Sequence, residues 1–121
     1  MVLYVEDDAV NAMLMQGIFE LVPGCHLQVA GSGAEALRFV AGQRVDLLLC
    51  DQHLPDATGD ALLAELRAAG LAAGAPALLV TAEAEAVAAE LARRGGFDGC
   101  WSKPLDVAAT VRSLAHWLGG R

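Results

Sequence analysis

The stretch VDLLLCDQHLP, from Val45 to Pro55, places an unbroken apolar run directly before an aspartate and a turn. A short apolar run with turn-forming residues after it is typical of a strand that is buried on both faces, as in a parallel sheet. Asp51 therefore comes at the carboxyl end of a predicted central strand. A carboxylate at that position needs a chemical reason, and the rest of the chain supplies one.

Strand and helix signals alternate on both sides of this strand. Four further apolar runs predict strands, namely Val2–Val5, His26–Ala30, Pro76–Val80 with Thr81 at its end, and Gly99–Ser102. Apolar residues at helical spacing predict five helices, marked in order by Val10, Leu14, Ile18 and Leu21, by Ala36, Leu37 and Val40, by Leu62, Leu66 and Ala69, by Val87 and Leu91, and by Val107, Val111, Leu114 and Leu118.

Turn formers and caps predict where these helices begin and end. Pro23-Gly24 ends the first helix, Gly42 the second, and Gly119-Gly120 the last, while Gly59 starts the third and the fourth runs from Glu83 to Arg94. Capping residues are predicted at two helix starts, with Asp8 before the first helix and a Ser32/Glu35 capping box at the second.

Five strands that alternate with five helices predict an α/β protein with a doubly wound parallel sheet. The simplest strand order is 2-1-3-4-5, that of flavodoxin-like (βα)5 folds. The 121 residues form one predicted domain, covering residues 1–121.

Composition excludes several classes of function. A net charge of −7 and a pI near 4.7 argue against direct binding of nucleic acid, which needs a basic surface. No apolar run approaches the roughly 18 residues that would predict a membrane span. The three cysteines, Cys25, Cys50 and Cys100, show no metal-binding spacing and predict reduced thiols in a cytoplasmic protein.

Polar residues follow the predicted strands where parallel sheets bind ligands, beyond the carboxyl ends. Glu6 and Asp7 follow the first strand, Asp51 ends the third, Thr81 ends the fourth and Lys103 follows the fifth. Facing carboxylates repel each other unless a cation sits between them, and Mg²⁺ binds carboxylates, water and phosphate oxygens. A carboxylate nucleophile, a lysine and a hydroxyl beside such a cation predict phosphoryl transfer that forms an aspartyl phosphate.

Four motifs in this order and spacing resemble one family. VEDD, DQHLPDATG, LLVTA and WSKP resemble the receiver domain of two-component response regulators and hybrid histidine kinases, and the resemblance covers the whole chain. It implies that Asp51 is the phosphoacceptor and that Mg²⁺ is the cofactor. It further implies that Asp7 binds the ion directly, that Glu6 acts mainly through a coordinated water, and that the His53 backbone carbonyl completes the protein ligands.

The resemblance also implies roles for the remaining rim residues and for partners. Thr81 would bond a phosphoryl oxygen, Lys103 would pair with the phosphate, and the Lys103-Pro104 peptide would be cis. The phosphoryl group would come from a histidine kinase or a histidine phosphotransfer protein. The domain would change the surface of its fourth helix, fifth strand and fifth helix, which is also a possible homodimer surface.

Such a domain is not a conventional enzyme, although it assists its own phosphorylation and dephosphorylation. This chain departs from the family pattern at Cys100, where an aromatic residue is usual, so the usual switch residue is in doubt. The chain carries no output domain, and both a stand-alone receiver and a piece of a larger protein, such as a hybrid kinase, stay open.

Three other functions fit these residues less well. A phosphohydrolase with an aspartate nucleophile usually has a second acid two residues later, where this chain has His53. A scaffold that keeps the fold without phosphorylation would not need the complete set of site residues. A flavin-binding protein would need a phosphate cradle in the first loop, which is acidic here.

Overall fold

The computed structural model describes residues 1–71 and 74–119. The elements in these ranges are β1 (Val2–Val5), α1 (Ala9–Phe19), β2 (Leu27–Ala30), α2 (Gly33–Gly42), β3 (Leu47–Asp51), α3 (Gly59–Ala69), β4 (Ala77–Thr81), α4 (Glu85–Gly95), β5 (Gly99–Ser102) and α5 (Val107–Gly119). The five strands pair in parallel in the order β2-β1-β3-β4-β5. The predicted fold class and strand order are confirmed.

The central strand β3 has no polar face because both of its faces are covered by helices. Leu48 and Cys50 pack in an apolar layer with residues of α2, α3 and α4. Leu47 and Leu49 pack in a second layer with residues of α1 and α5. Alternation of side chains along a strand puts neighbours in different layers, so β3 reads as a continuous apolar run.

Both predicted helix caps are present. The Asp8 carboxylate accepts hydrogen bonds from the backbone of Val10 at 2.8 Å and of Asn11 at 3.1 Å. The Ser32 hydroxyl accepts from the Glu35 backbone at 3.2 Å, while the Glu35 carboxylate accepts from the backbone of Gly31 and not of Ser32. The second half of the predicted capping box is therefore shifted by one residue.

Of the four apolar residues that marked the first predicted helix, Ile18 is buried and the other three are exposed. Val10, Leu14 and Leu21 are 65%, 55% and 62% exposed, and Leu21 lies beyond the end of the helix. The buried residues of α1 are Met15, Ile18 and Phe19. The α1 segment AVNAMLMQGIF contains no charged residue, so its apolar residues surround the helix and their spacing cannot identify the face that packs.

The buried residues of the other helices also differ in part from those predicted, most clearly in the alanine-rich α4. In α4, Val87 and Leu91 were expected to face inward: Leu91 is partly buried against the core, whereas Val87 is 47% exposed, and the fully buried residues are Ala88 and Ala92. Val107 is 49% exposed, and Ala69 is exposed at the end of α3. Small side chains let α4 approach the sheet closely, and hydrophobicity scales give alanine too little weight to predict this.

Element boundaries differ from the predictions by a few residues. β2 and β4 each begin one residue later than predicted, α4 begins at Glu85, and α1 ends at Phe19, ahead of the predicted stop. The predicted stop at Gly119-Gly120 lies partly outside the described residues, because Gly120 is not among them. In the described ranges, the helices are too short or too polar to cross a membrane.

The start of α3 lies directly against the end of β3. The Gly59 backbone donates to the Gln52 carbonyl oxygen at 2.9 Å. A Cβ at Gly59 would lie only 2.7 Å from the Asp51 carbonyl oxygen. Only a residue without a side chain allows this approach, so Gly59 positions the loop that follows Asp51.

Candidate functional site

The carboxyl edge of the sheet collects the polar residues that the sequence analysis singled out. Asp51 is the last residue of β3, and Thr81 is the last residue of β4. Glu6 and Asp7 directly follow β1, and Lys103 directly follows β5. Parallel strands bring these four chain positions to one edge, on both sides of the point where the strand order reverses.

Three of these side chains form a compact acidic cluster. Carboxylate oxygens of Glu6, Asp7 and Asp51 all lie within 4.8 Å of one another. The Glu6 side chain is only 1% exposed and the Asp51 side chain 13%, whereas Asp7 is exposed. Three hard oxygen ligands at this spacing suit a divalent cation such as Mg²⁺, so the donor set fits the predicted cofactor.

Lys103 lies beside two of the three acids. Its Nζ donates to Glu6 Oε1 at 2.7 Å and lies 3.5 Å from Asp51 Oδ1. The side chain is 15% exposed, so these contacts are only weakly screened by water. Lys103 therefore contacts the predicted phosphoacceptor but is bound more closely to Glu6.

The acids share the site unequally. Burial raises the pKa of Asp51, and the negative charge of Glu6 raises it further, against the opposing effect of Lys103. Burial also acts to raise the pKa of Glu6, but hydrogen bonds from Lys103 and Tyr4 outweigh it and hold that pKa below its usual value. Glu6 is thus stabilised as an anion, while ionisation of Asp51 is disfavoured because it would add a second negative charge beside Glu6.

Lys103 remains a cation in this setting. Burial acts to lower the pKa of Lys103, but the hydrogen bond to Glu6 and the charge of Asp51 outweigh it and raise the pKa above its usual value. A charged lysine next to an aspartate can bind an anion that is attached to that aspartate.

Tyr4 is a member of the site that the sequence analysis missed. Its side chain is fully buried in the apolar layer with α1 and α5, and its hydroxyl donates to Glu6 Oε1 at 2.8 Å. Burial and this bond to an anion raise the pKa of Tyr4 above its usual value. The available signal was the spacing, because a residue two positions before Glu6 shares its face of an extended chain.

Thr81 connects the ends of two strands to the loop before α4. Its carbonyl oxygen accepts from the Lys103 backbone at 2.9 Å, and its hydroxyl oxygen accepts from the Glu83 backbone at 3.2 Å. Thr81 is 3% exposed. The hydroxyl accepts in that bond, so its own hydrogen is available to a group in the cluster.

The loop between β3 and α3 carries His53 and Asp56. His53 is exposed and pairs with Thr58 in an isolated antiparallel bridge, and a role for its carbonyl oxygen stays a prediction. The Asp56 carboxylate accepts from the backbone of Gly33 at 2.9 Å and of Ala34 at 3.1 Å. This long-range cap on α2, which the sequence analysis missed, holds the loop next to the phosphoacceptor position.

The side chains at the predicted switch position face opposite ways. Cys100 packs against the layer with α2, α3 and α4, and Trp101 lies in the layer with α1 and α5. The Trp101 indole donates to the Ser113 hydroxyl at 2.8 Å, which ties β5 to α5. The peptide bond between Lys103 and Pro104 is cis, as predicted.

This strand order, with an acidic cluster and a lysine at its switch point, defines a receiver-like α/β domain. The model of the response regulator receiver domain family matches residues 2–115, and the chain belongs to this family. The expected family and fold are therefore confirmed, and the chain is a receiver domain of two-component systems.

Curated relatives include both short and long proteins. The chain is 30% identical over 118 residues to the polar-differentiation response regulator DivK of Brucella anthropi, covering 98% of this chain and 95% of DivK. It is 30% identical over 115 residues to the sensor histidine kinase RcsC of Salmonella typhi, covering 95% of this chain. This chain spans only 12% of the length of RcsC.

Solved structures show the same fold. The receiver domain of the sensor histidine kinase PA1611 from Pseudomonas aeruginosa PAO1 is 29% identical, with a TM-score of 0.83 and coverage of 98% of this chain and 96% of that one. A magnesium ion is coordinated in the active-site cleft of that protein. The chemotaxis protein CheY4 of Vibrio cholerae is 23% identical with a TM-score of 0.86, over 97% of both chains, and supports the fold alone.

Proposed function

We propose that residues 1–121 act as one phosphoacceptor switch of a two-component phosphorelay and that Asp51 receives the phosphoryl group. The observation that carries the proposal is the acidic cluster within 4.8 Å with Lys103 Nζ at 3.5 Å from Asp51 Oδ1. Within the cluster, Glu6 is almost completely buried and already bonded to two side chains. Asp51 is more accessible to a donor and ends a strand at the switch point.

In the proposed reaction, a carboxylate oxygen of Asp51 attacks the phosphorus atom of a phosphohistidine on the donor protein. A P–O bond forms and the P–N bond breaks. The electron pair of the P–N bond stays on the histidine nitrogen, which takes up a proton from solvent. The product is an aspartyl phosphate, and the domain supplies the nucleophile and the charges around it.

Magnesium would be held by Glu6, Asp7, Asp51 and the backbone carbonyl of His53. When bound, it would neutralise the negative charge of the acids and of the transferring group. Asp7 is exposed and offers a free carboxylate for direct coordination. Glu6 Oε1 already accepts two hydrogen bonds and Oε2 accepts a third from the Asp8 backbone at 3.3 Å, which favours contact through a water.

Thr81 and Lys103 would bind the phosphoryl oxygens and pass the signal on. The Lys103 ammonium group would move from Glu6 toward the phosphoryl group, and the Thr81 hydroxyl would donate a hydrogen bond to a phosphoryl oxygen. The bond of the Thr81 hydroxyl oxygen with Glu83 connects the site to the loop before α4, and the bond between the Thr81 carbonyl and Lys103 connects β4 to β5. A change at Asp51 would therefore alter the surface formed by α4, β5 and α5, which is also the proposed surface for a homodimer.

The donor is proposed to be a histidine kinase or a histidine phosphotransfer protein that docks on α1. Met13, Val10 and Leu14 are 68%, 65% and 55% exposed on a helix without charged residues. The helix α1 begins directly after its cap Asp8, which follows Glu6 and Asp7 in the chain, so this apolar surface begins near the acidic rim that the donor must reach. Burying exposed apolar side chains would stabilise such a complex.

The domain is proposed to assist its own phosphorylation and dephosphorylation without a separate substrate. Two residues after Asp51 an aspartate hydrolase would have a general acid, and here the exposed His53 occupies that position. The His53 side chain would influence the attack of water on the phosphate. The cytoplasmic location predicted from the cysteines stays a prediction.

The proposal is tested by treating the domain with acetyl phosphate and Mg²⁺ and mapping the modified residue by mass spectrometry. We expect phosphorylation of Asp51 in the wild type and none in Asp51→Asn or in EDTA. Asp60→Asn is the matched control, because Asp60 is an exposed aspartate in the first turn of α3 outside the cluster. Equal phosphorylation of wild type and Asp51→Asn would refute the assignment.

Docking on α1 is tested separately with Leu14→Ser and Met13→Ser. Phosphorylation by acetyl phosphate should not change, because neither side chain belongs to the cluster. Transfer from a phosphotransfer protein that phosphorylates the wild type should become at least tenfold slower. Unchanged transfer to both variants would show that the donor binds elsewhere.

A further inference from the structure

Glu6 Oε1 accepts hydrogen bonds from two side chains. Tyr4 donates its hydroxyl at 2.8 Å from within the apolar layer, and Lys103 donates its ammonium at 2.7 Å from the rim. Glu6 is 1% exposed, so water offers little replacement for either donor. An anion buried to this degree needs donors from the protein at all times.

In the proposed function, Glu6 and the phosphoryl group on Asp51 compete for the ammonium group of Lys103. It is bound to Glu6 in this structure, and among the described residues it is the cation nearest to Asp51 Oδ1, at 3.5 Å. Pairing with a phosphoryl group on Asp51 would weaken its bond to Glu6. If Lys103 were the one side-chain donor to Glu6, its departure would leave a buried carboxylate oxygen without a side-chain hydrogen bond. The free energy of that loss would weaken the binding of the phosphoryl group.

We propose that Tyr4 is a positioning residue for phosphoryl binding, whose hydroxyl keeps Glu6 bonded and in place while Lys103 moves to the phosphoryl group on Asp51. The inference rests on the proposed function of Asp51 and deepens it. The geometry suits this role because Tyr4 is fully buried in the apolar layer with α1 and α5 and donates its hydroxyl to Glu6 Oε1 at 2.8 Å, in addition to the bond from Lys103. The Tyr4 hydroxyl donates to Glu6 and not to Asp51, so its effect on phosphoryl binding would pass through Glu6 and Lys103.

Tyr4→Phe removes the hydroxyl and keeps the ring. Beryllofluoride, which mimics the phosphoryl group on an aspartate, should bind about tenfold more weakly at saturating Mg²⁺, the equivalent of one hydrogen bond to a charged group. Mg²⁺ alone should bind with equal or higher affinity, because Glu6 loses a donor and Lys103 need not leave it. Titration calorimetry for Mg²⁺ and NMR for beryllofluoride measure the two affinities.

A purely structural role of Tyr4 predicts a different pattern. A loosened site would weaken the binding of Mg²⁺ and of beryllofluoride together. Leu47→Val is the matched control, since Leu47 is fully buried in the same apolar layer and bears no polar group. This control should lose stability while both affinities stay within twofold of the wild type.

A second readout uses the wild-type protein. Tyr4 is the one tyrosine of the chain, so the hydrogen-bond-sensitive ring bands of tyrosine in the Raman spectrum have a single source. These bands should show a strong hydroxyl donor in the apo protein and still show it after beryllofluoride and Mg²⁺ are added. Loss of the donor signature on loading would overturn the inference.

The outcomes separate the inference from the function on which it rests. If wild-type protein does not bind beryllofluoride, both the proposed function and the inference fail. If wild type binds it and Tyr4→Phe binds it equally well, the inference alone fails. Parallel weakening of Mg²⁺ and beryllofluoride binding in Tyr4→Phe would also overturn it.

Discussion

Replacing glycine by alanine at two helical positions should change the stability in opposite directions. Gly17 lies inside α1, two residues before its end, and among the described residues no atom outside its own helix would lie within 4 Å of a Cβ there. Gly59 is the first residue of α3, and a Cβ there would lie 2.7 Å from the Asp51 carbonyl oxygen and 3.2 Å from Gln52 Oε1. The two substitutions are chemically identical, so their difference isolates the contact with the end of β3.

The expected magnitudes follow from these contacts. Gly17→Ala should raise the free energy of unfolding by about 0.5–1 kcal/mol, because alanine forms helix more readily and restricts the unfolded chain. Gly59→Ala gains less at a helix terminus and must displace backbone, which typically costs about 1–3 kcal/mol. We therefore expect a net loss of roughly 1–2 kcal/mol.

Urea unfolding followed by tryptophan fluorescence measures both effects, because Trp101 is 9% exposed in the folded protein. A shifted midpoint with an unchanged m-value would identify a change in stability. Gly59→Ala should also react more slowly with acetyl phosphate, because the displaced carbonyl belongs to Asp51. If Gly59→Ala is as stable and as reactive as Gly17→Ala, Gly59 does not position Asp51, the proposed phosphoacceptor.

Three further predictions concern the site. Mg²⁺ should stabilise the fold by about 2.7 kcal/mol at a hundredfold excess over its Kd, and Asp7→Asn should raise apo stability and lose most of this gain; an equal shift in the melting temperature of both proteins would contradict the site. The raised pKa of Lys103 means that its stabilising effect persists above the usual lysine value of 10.5 and is lost as the pH rises through the higher folded-state value, so on the alkaline side the stability difference between wild type and Lys103→Met should shrink only at strongly alkaline pH; on the acid side it should shrink as Glu6, whose pKa Lys103 lowers, becomes protonated. Thr81→Ala should lose most NMR shift changes caused by beryllofluoride while Cys100→Ala keeps them; the reverse pattern would refute the proposed switch.

The fold was predictable because several independent signals agreed. The run from Leu47 to Cys50 needs cover on both faces, and alternating helices supply it. Turn residues and caps such as Asp8 and Ser32 confirmed the helix starts. The buried faces of two helices were harder to predict. α1 has no charged residues to mark its exposed face, and α4 packs through small alanine side chains. In both helices the sheet, and not the apolar spacing, decides which residues are buried.

The candidate site was predictable to the extent that its residues follow strands. Parallel pairing brings strand ends together, so Glu6, Asp51 and Lys103 could be grouped without knowing any distance. Tyr4 and Asp56 were missed because each acts across the fold. Tyr4 resembles the other apolar strand residues until its hydroxyl is seen to bond Glu6, and Asp56 caps backbone groups that precede it by 23 and 22 residues in the chain.

The energy available at the site indicates how this receiver can switch with a cysteine at the usual aromatic position. Converting a 1:99 population into 99:1 requires about 5.5 kcal/mol of differential interaction. A hydrogen bond to a charged group contributes about 1.5–3 kcal/mol, so Thr81 and Lys103 together could supply roughly 3–6 kcal/mol. The two residues are already joined by the bond from the Lys103 backbone to the Thr81 carbonyl at 2.9 Å, so they are placed to respond as one unit. Because Cys100 and Trp101 belong to different apolar layers, Trp101 is not placed to replace the missing aromatic residue, and we propose that the ends of β4 and β5, joined through Thr81 and Lys103, carry the signal.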